Sequence, residues 1–303
     1  MTDHKQSADN FRSGFITIAG APNAGKSTLL NRLLGEKISI TSQKPQTTRN
    51  RILGVVHRQS SQLVFLDTPG VHKPRDPLNI KMVDEAITAI SDGDIILAIA
   101  DVSKPLPDSE AFLIKQLKTQ KKPVIMALNK IDLIQKNRLL EFIANWSKAY
   151  PFKAVIPISA KQGAQIEALL NSMEALLPQG PRYFPEETLT DISERFIAAE
   201  MIREKVFRLT GQEIPYSTAV TIDRFSEEKN GKLIRIDATI HLEHDSQKGI
   251  IIGKKGSKLK KIGEDARKDI ERLVGTHVFL KLFVRIQKNW SKDTKALRKF
   301  GYS

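Results

Sequence analysis

Residues 20–27 read Gly-Ala-Pro-Asn-Ala-Gly-Lys-Ser, and this stretch decides the fold of the N-terminal part of the chain. It has the pattern Gly-x-x-x-x-Gly-Lys-Ser/Thr, follows an apolar segment of strand type, and opens a segment of helical type. The glycines let the backbone curl so that successive N–H groups point at phosphate oxygens, and the helix N-terminus adds its dipole. The stretch therefore predicts a phosphate-binding loop at a strand-to-helix turn.

The same pattern predicts the roles of individual side chains in this loop. Lys26 is expected to reach the β- and γ-phosphates of a nucleotide and to act in catalysis, and the hydroxyl of Ser27 is expected to ligate Mg²⁺. The residues of this stretch predicted to contact the nucleotide are Gly20, Asn23, Ala24, Gly25, Lys26, Ser27 and Thr28.

Around the loop, short segments rich in Val and Ile alternate with amphipathic segments of helical length. The predicted strands are 15–19, 63–66, 94–100, 124–128 and 154–158, and the predicted helices are 26–34, 78–90, 108–119, 136–150 and 163–177. Residues 52–57, followed by 63–66, predict an antiparallel hairpin at one edge. This alternation indicates an α/β domain of the P-loop class, with a mixed, mostly parallel sheet and helices on both faces.

A second motif, Asp67-Thr68-Pro69-Gly70, ends an apolar strand about forty residues after the loop. Asp67 is expected to hold Mg²⁺, and the N–H of Gly70 is expected to approach a γ-phosphate. The polar segment between the two motifs must supply a Thr that completes the Mg²⁺ shell. We favour Thr48 for this role, with Thr47 as the second choice, so the expected catalytic residues are Lys26, Thr48 and Gly70.

The base of the nucleotide is predicted from two further motifs. Residues 129–132 read Asn-Lys-Ile-Asp, and the Asp132 carboxylate can accept hydrogen bonds from guanine N1–H and the 2-amino group together. Adenine lacks that amino group, and the loss of a charged hydrogen bond costs about 1.5–3 kcal/mol. Lys130 is expected to cover the base with its aliphatic stem and Asn129 to brace the loops.

Residues 159–161, Ser159, Ala160 and Lys161, follow the last strand and offer backbone N–H groups to guanine O6. Four motifs in the correct order therefore predict a GTPase and argue against an ATPase. The position after the Asp-x-x-Gly turn, where many small GTPases orient the attacking water with Gln, is occupied by Val71. We therefore expect slow intrinsic hydrolysis.

The segment 178–185 contains three prolines and a glycine and predicts a linker. The sequence thus divides into a polar tail (1–13), the nucleotide-binding domain (14–180), a linker (181–190) and a second domain (191–303). In the second domain we expect a long amphipathic helix (191–209), strands at 217–225 and 232–243, two helices around 253–256, a strand at 277–286 and a basic helix at 291–299.

Residues 253–256 read Gly-Lys-Lys-Gly and lie between the two middle helices, with strands before and after. This is the arrangement of an α+β KH domain, whose Gly-x-x-Gly loop clamps the backbone of single-stranded nucleic acid. The predicted RNA-binding residues are Ile252, Gly253, Lys254, Lys255, Gly256, Lys258 and Lys261. The aromatic residues Phe279, Phe283 and Trp290 are expected to lie in the core.

Charge supports a polyanionic partner. The chain carries a net charge of +14, and residues 248–303 alone contribute +11 of it. The absence of cysteine excludes disulfides, thiolate zinc sites and a cysteine nucleophile. Residues 1–12 lack the apolar core of a signal peptide, and no apolar run approaches the ~20 residues of a membrane helix, so a soluble protein is expected.

Both halves together resemble the Era family of GTPases, in which a GTPase domain precedes a type II KH domain. The matching motifs are 22–27, 46–49 (Gln-Thr-Thr-Arg), 67–70, 195–205, 214–217 (Ile-Pro-Tyr-Ser) and 252–256. The related double-GTPase family would require a second phosphate loop, which the sequence lacks.

The resemblance implies binding near the 3′ end of small-subunit ribosomal RNA and assistance in assembly of the small ribosomal subunit. It also implies peripheral association with the cytoplasmic membrane, a cytoplasmic location, and K⁺ beside the phosphates near Asn23. We further expect a monomer.

Two other interpretations of the sequence stay open. One is a GTP-dependent, membrane-associated regulator whose basic C-terminal region binds anionic lipid; the short basic helix 291–299 is compatible with it. The other is a non-catalytic nucleotide-dependent scaffold, against which the intact Lys26, Ser27 and Asp67 argue.

Overall fold

The computed structural model describes residues 11–42, 49–70, 77–211, 218–228 and 230–300. Within these ranges the chain forms two compact units. The first contains residues 11–36 and 49–191, and the second contains residues 37–42 and 192–300.

The first unit is a three-layer α/β structure around a six-stranded sheet of order β2-β3-β1-β4-β5-β6. Its elements are β1 (Arg12–Gly20), α1 (Lys26–Leu34), β2 (Ile52–His57), β3 (Ser61–Asp67), α2 (Pro77–Asp92), β4 (Ile95–Asp101), α3 (Pro107–Leu117), β5 (Val124–Asn129), α4 (Lys136–Ala149), β6 (Ala154–Ile158) and α5 (Ile166–Glu174).

The strand directions place every predicted nucleotide motif at one edge of this sheet. Only β2 is antiparallel to its neighbour, and the other strand pairs are parallel. Gly20, Asp67 and Asn129 are the last residues of β1, β3 and β5. The carboxyl ends of parallel strands meet at the same sheet edge, which is where open α/β sheets bind ligands. The predicted fold class is thus confirmed for this half of the chain.

Both faces of the sheet are buried. Even-numbered residues of β4 and β5, such as Ile96 and Met126, pack with residues of α2, α3 and α4 in one apolar cluster. Odd-numbered residues, such as Leu97 and Ile125, point to the opposite face and are fully buried as well. Because the strands are buried on both faces, they appear in the sequence as continuous apolar runs.

The segment 178–190 is tied to the first unit. The N–H of Val55 donates to the Leu189 carbonyl at 2.8 Å, and the amide of Gln62 donates to the Phe184 carbonyl at 2.8 Å. Ser13 Oγ donates to the Pro181 carbonyl at 2.6 Å. Residues 181–190 are predicted from the sequence to be a linker, and in the structure these bonds hold the segment against β1, β2 and β3.

The second unit contains a three-stranded sheet of order β7-β8-β9, in which β7 and β8 are antiparallel and β8 and β9 parallel. Its elements are α6 (Glu194–Leu209), β7 (Ala219–Glu228), β8 (Leu233–Leu242), α7 (Asp245–Ile252), α8 (Ser257–Val274), β9 (His277–Ile286) and α9 (Thr294–Lys299). The succession β8-α7-α8-β9, preceded by α6 and β7, is the expected KH order.

Helix α6 is not the amphipathic helix that the sequence predicts. Ten of its residues between Ile197 and Phe207 are buried, and they occupy all sides of the helix. The buried charged residues form ion pairs with each other or with residues of neighbouring elements. Within the helix, Arg203 Nε donates to Glu200 Oε1 at 2.7 Å. Buried charges are tolerated when they are paired in this way, so the charged residues in this segment of the sequence do not indicate an exposed helix face.

A charge cluster in the second unit is centred on Glu204, whose side chain is fully buried. Its carboxylate accepts from Lys37 Nζ at 2.5 Å, from Arg208 at 2.9 Å and from the Thr41 N–H at 2.9 Å. Lys37 Nζ also donates to Asp269 Oδ2 of α8 at 2.7 Å, and Lys205 pairs with both carboxylates. The cluster fixes residues 37–41 to α6 and α8.

The carboxylates of the cluster depend on their cationic neighbours. Burial alone would raise the pKa of Glu204, but the hydrogen bond and charge of Lys37, with Thr41 and Arg208, bring it below the ordinary 4.5. The pKa of Asp269 is lowered in the same manner against its own burial by Lys205 and Lys37. Each group therefore contributes stability that is present above its unfolded pKa and is lost as the pH falls through its folded pKa.

We expect Glu204→Gln to lower the free energy of unfolding of the second unit by about 3 kcal/mol, because buried cations lose a charged partner. The loss should shrink as the pH falls below the ordinary carboxyl range, where the wild-type group itself becomes protonated. The measurement is urea unfolding followed by tryptophan fluorescence. The chain has two tryptophans, so Trp146→Phe leaves Trp290 as the reporter of the second unit.

The matched control is Asp265→Asn, which removes a carboxylate from the exposed Lys261–Asp265 pair of the same helix α8. Exposed pairs contribute little to stability, so this change should hardly move the midpoint. Equal midpoints for Glu204→Gln and Asp265→Asn would show that the cluster does not stabilise the second unit.

Candidate functional site

The phosphate loop places the start of α1 at the carboxyl end of β1. Gly25 is the N-cap residue of α1 with φ 102°, and having no side chain it cannot cap the helix. The first N–H groups of α1 are thereby directed out of the helix end, where an anion is stabilised. Lys26, the first residue of α1, donates from Nζ to the carbonyls of Gly20 at 3.1 Å and Ala21 at 2.9 Å.

Lys26 is buried, with 6% of its surface exposed. Burial lowers the pKa of Lys26 to about 8, and the carboxylate of Asp67 opposes this shift without cancelling it. A phosphate group would supply the negative charge that this ammonium needs. Keeping Lys26 charged in this buried position therefore costs little free energy only when an anion binds beside it.

Ser27 and Asp67 lie side by side, as the sequence predicts for a magnesium site. Ser27 Oγ donates to Asp67 Oδ2 at 2.7 Å, and Asp67 is fully buried at the end of β3. A hydroxyl and a carboxylate oxygen are hard ligands of the type that Mg²⁺ takes together with waters and phosphate oxygens. The pair therefore fits a magnesium ion bound with a nucleotide.

Asn129 connects three loops from inside the molecule. Its side-chain Nδ2 donates to the Ala24 carbonyl at 2.8 Å, and its Oδ1 accepts from the Ala160 N–H at 3.0 Å. The residue is 2% exposed. This contact requires glycine at position 25, because a Cβ there would lie 2.2 Å from Asn129 Nδ2. The bracing role predicted for Asn129 has this geometric basis.

Lys130 adopts a left-handed conformation, with φ 68°, and turns its side chain back over the phosphate loop. Its Nζ donates to the Asn23 carbonyl at 2.8 Å and pairs with the carboxylate of Asp101. Asp101 is held in turn by the N–H and hydroxyl of Ser103. The sequence analysis missed Asp101; the available signal is that it ends β4 as Asp67 ends β3.

The loop 159–161 is held by a residue that the sequence analysis also missed. Arg32 of α1 donates from Nε to the Ala160 carbonyl at 3.1 Å and from Nη2 to the Lys161 carbonyl. That this loop offers its N–H groups to guanine O6 stays a prediction; in the structure the N–H of Ala160 donates to Asn129 Oδ1. The Ser159 hydroxyl accepts from the Gln162 N–H at 3.1 Å and so closes the loop.

The remaining predicted residues lie around the same sheet edge. Gly70 packs against Pro22 of the phosphate loop, with 2.9 Å between a Cβ placed at Gly70 and the Pro22 Cα. Asn23 is exposed with φ 62°, Thr28 is half-buried in the first turn of α1, and Asp132 is half-buried in a short turn after Lys130. Thr47, Thr48 and Val71 lie outside the described residues.

The Gly-x-x-Gly loop of the second unit presents its lysines to solvent. Gly253 has φ 70° and ψ 178°, and Lys255 has φ 50°, so the chain reverses between α7 and α8. Lys254 and Lys255 are exposed, while Ile252 and Gly256 are half-buried. The loop therefore exposes two positively charged side chains next to the half-buried, apolar Ile252.

Next to this loop, α8 and β9 enclose a groove of ≈ 550 Å³. Its wall combines apolar and cationic side chains with one carboxylate, and includes Leu259, Lys260, Glu264, Arg267, Phe279, Lys281 and Leu282. Lys258 is half-buried, and Lys261, another predicted RNA-binding residue, donates to Asp265 at 2.8 Å. An apolar groove bordered by cations suits nucleobases joined by a phosphate backbone.

Two of the three aromatic residues assigned to the core are not there. Trp290 is fully buried, as expected, but Phe279 is 49% and Phe283 is 44% exposed. Both lie on β9 and alternate with apolar residues that point to the helices. The expectation for these two rings was wrong because both faces of β9 carry apolar side chains and only one face is covered.

Each of the two units matches a known protein family. Residues 15–130 match the family described as 50S ribosome-binding GTPase, and residues 213–291 match the KH domain family. The chain is 53% identical over 297 residues to GTPase Era of Geobacter sp. strain M21, covering 98% of this chain and 99% of that protein.

Two solved structures are similar over nearly the whole chain, each at 39% identity. Era in complex with MgGDPNP and nucleotides 1506–1542 of 16S ribosomal RNA has a TM-score of 0.93 and covers 97% of this chain and 99% of its own. A single-residue variant of Aquifex aeolicus Era bound to GDP·AlF4⁻ has a TM-score of 0.92 and covers 97% and 100%.

Among the described residues, no helix has the length and apolar character needed to cross a bilayer.

We expect Gly25→Ala to weaken nucleotide binding at least about 100-fold, because the new methyl group displaces Asn129 and the backbone of an alanine is strained at φ 102°. The measurement is a titration with a fluorescent GDP analogue. The matched control is Gly35→Ala, since Gly35 has φ 73° but no atom within 4 Å of its Cβ position. Equal affinities for the two variants would refute the steric account.

We also expect nucleotide binding at pH 8 to take up about half a proton, because Lys26, with a pKa of about 8, is half neutral in the free protein and charged beside phosphate. Affinity should fall as the pH rises above 8. The measurement is calorimetric titration of GDP in buffers of different ionisation heat. Lys26→Arg, whose guanidinium stays charged, should take up none; an uptake equal to that of the wild type would assign the proton to another group.

Proposed function

The chain belongs to the Era family of GTPases, and from this premise we propose that GTP and GDP on its first unit control the binding of single-stranded RNA by its second. The RNA is the 3′-end region of small-subunit ribosomal RNA, and the process served is assembly of the small ribosomal subunit. The observation that carries the nucleotide half of this proposal is the Asn129 side chain, which joins the phosphate loop to the base-binding loop.

The roles of the nucleotide residues follow from this geometry. Lys26 and the first N–H groups of α1 hold the phosphates, while Ser27 and Asp67 hold Mg²⁺. The related structure with MgGDPNP supports magnesium as the metal. Asp132 accepts hydrogen bonds from guanine, and the N–H of Lys161 meets guanine O6, since that of Ala160 is bonded to Asn129. Thr48 completes the magnesium shell in the triphosphate state.

We propose K⁺ as an additional ion beside the phosphates. Asn23 lies exposed in the phosphate loop, where its backbone is left-handed with φ 62°. An amide oxygen is a suitable ligand for this ion, and the cation would add positive charge next to Lys26. With Val71 at the position of the usual glutamine, intrinsic hydrolysis is slow.

The RNA half of the proposal is carried by the groove beside the Gly-x-x-Gly loop. Lys254 and Lys255 are exposed in this loop, whose Gly256 lines the groove, and Lys258 and Lys261 follow on α8. The related Era structure contains nucleotides 1506–1542 of 16S ribosomal RNA, which supports the 3′-end region as the target. Because one chain carries both sites, we propose that a monomer suffices, and that it works in the cytoplasm with the ribosome.

We propose that residues 37–42 couple the two sites. They follow α1 in the chain and precede Thr48, yet they belong to the second unit through the bonds of Lys37 and Thr41 to Glu204. A nucleotide-dependent change at Thr48 would act on this segment by chain connectivity, as in GTPases whose switch loop is ordered by the γ-phosphate.

The lipid-binding alternative depends on a basic amphipathic helix near the C-terminus. In the structure α9 has six residues, and its apolar side chains, Ala296 and Leu297, are buried in the second unit. An interfacial helix needs an exposed apolar face, so α9 gives this alternative no support. Peripheral membrane contact stays a proposal from the family resemblance alone.

The experiment is GTP hydrolysis by the purified protein in potassium or sodium, with and without an oligonucleotide of the small-subunit rRNA 3′ end. We expect slow hydrolysis that potassium and the RNA each increase. Lys254→Asp combined with Lys255→Asp should abolish the RNA effect and RNA binding, because two phosphate-facing cations become anions. Nucleotide affinity should stay unchanged.

The matched control is Lys148→Asp with Lys153→Asp, which reverses two charges on the first unit. Hydrolysis above about 1 per second without RNA would contradict slow turnover, since that is already within the usual enzymatic range. Slow hydrolysis that RNA does not alter, with no RNA binding in either nucleotide state, would contradict the RNA assignment and leave the GTPase intact.

A further inference from the structure

The sheet of the second unit has one face against helices, while on the other face the edge strand β9 is exposed and His241 of β8 is covered by Phe300. Helices α6 and α8 contact β7 and β9 on the covered side. On the other side, β9 presents every second residue, Phe279, Lys281, Phe283 and Arg285, and all four are exposed. The register places Arg235 of β8 directly beside Phe279. We call these five residues the β9 strip.

Each aromatic ring of the strip is accompanied by a cation. The guanidinium carbon of Arg235 lies 5.2 Å from the Phe279 ring centroid, and Lys281 Nζ lies 4.9 Å from that of Phe283. The rings nevertheless keep 49% and 44% of their surface in solvent. Single exposed apolar side chains are common on protein surfaces, but two exposed rings on the same face of one strand form a contiguous surface of the kind found at interaction sites.

The strip is continuous with the groove of the Gly-x-x-Gly loop. β9 is an edge strand, and Phe279 and Lys281 belong to both the groove wall and the strip. Phe283 and Arg285 lie farther along β9 and do not line the groove. A strand of nucleic acid that leaves the groove across the edge of β9 would therefore meet the exposed outer side of β9.

The alternation of ring and cation indicates the chemistry of the partner. Phe279 and Phe283 are four residues apart, which is about 13 Å along a strand, with Lys281 between them. Within the described residues Lys281 and Arg285 have no ion-pair partner, and Asp237 lies 3.5 Å from Arg235 as the one carboxylate paired with the strip. Separated rings with cations between them suit a polymer of flat bases and phosphates better than a continuous apolar surface.

We propose that the β9 strip is a second binding surface for single-stranded RNA. Bases stack on Phe279 and Phe283 or on the Arg235 guanidinium, and the backbone phosphates contact Lys281 and Arg285. The strip extends the RNA path beyond the nucleotides held by the Gly-x-x-Gly loop. This inference rests on the RNA binding proposed above and assigns a further set of residues to it.

The test compares two labelled oligonucleotides by fluorescence anisotropy: one of about four nucleotides, the length that a Gly-x-x-Gly loop clamps, and one of about twelve. The variant is Phe283→Ala, since Phe283 lies outside the groove. We expect it to bind the longer RNA about 5- to 150-fold more weakly, the range of losing one stacked base, and the shorter RNA unchanged.

Two substitutions at the same position separate stacking from apolar contact. Phe283→Leu keeps an apolar side chain but removes the ring, so it should lose as much affinity as Phe283→Ala, while Phe283→Trp should keep it. Leu140→Ala, which changes a leucine on α4 that is 70% exposed, is the control for a general effect of removing exposed apolar surface.

Unchanged affinity of Phe283→Ala for the longer RNA would overturn the inference, as would full affinity of Phe283→Leu. Loss of both RNAs in Lys254→Asp with Lys255→Asp, beside selective loss of the longer RNA in Phe283→Ala, would support the groove and the strip separately. A wild-type protein that binds neither RNA would overturn the proposed RNA function and the strip together.

Discussion

The nucleotide site depends on one buried amide. Asn129 must satisfy both a donor and an acceptor inside the molecule, and it does so by bonding the Ala24 carbonyl and the Ala160 N–H. An unsatisfied buried amide would cost about 1–3 kcal/mol, so the two loops are held in fixed positions relative to β5. Parallel strands bring these loops to one edge of the sheet, and Gly25 lets them approach closely enough to be bridged.

The sequence predicts the motifs of this site because each is local. Each motif occupies the turn that follows a strand, so its residues are neighbours in the sequence and lie at the sheet edge that the fold class requires. The motifs are 20–27, 67–70, 129–132 and 159–161. Arg32 and Asp101 were missed because their partners are distant in the chain: Arg32 bonds Ala160, 128 residues away, and Asp101 pairs with Lys130, 29 residues away. No period or spacing marks such contacts, and the one signal for Asp101 is its position as the last residue of β4.

Two sequence-based expectations for the second unit were wrong, for different reasons. Helix α6 carries many charged residues, yet Glu204 and Lys205 are buried, because ion pairs that link α6 with α8 replace solvent. Strand β9 places Phe279 and Phe283 on the same face as Lys281 and Arg285, so the alternating charges were the signal of exposure, and the apolar character of the rings alone led to the wrong expectation. For α6 the neighbouring elements decide which side chains contact water, and the sequence of the helix alone does not show which elements pack against it.

The most direct test of this account is the affinity of Asn129→Asp for GDP and GTP. The substitution keeps the shape and the Oδ1 acceptor for Ala160 but removes the Nδ2 donor and turns a carboxylate toward the Ala24 carbonyl. We predict that the variant binds GDP and GTP at least about 100-fold more weakly than the wild type, while the circular dichroism spectrum of the protein stays unchanged. Affinity within a few-fold of the wild type would contradict the claim that this amide organises the site.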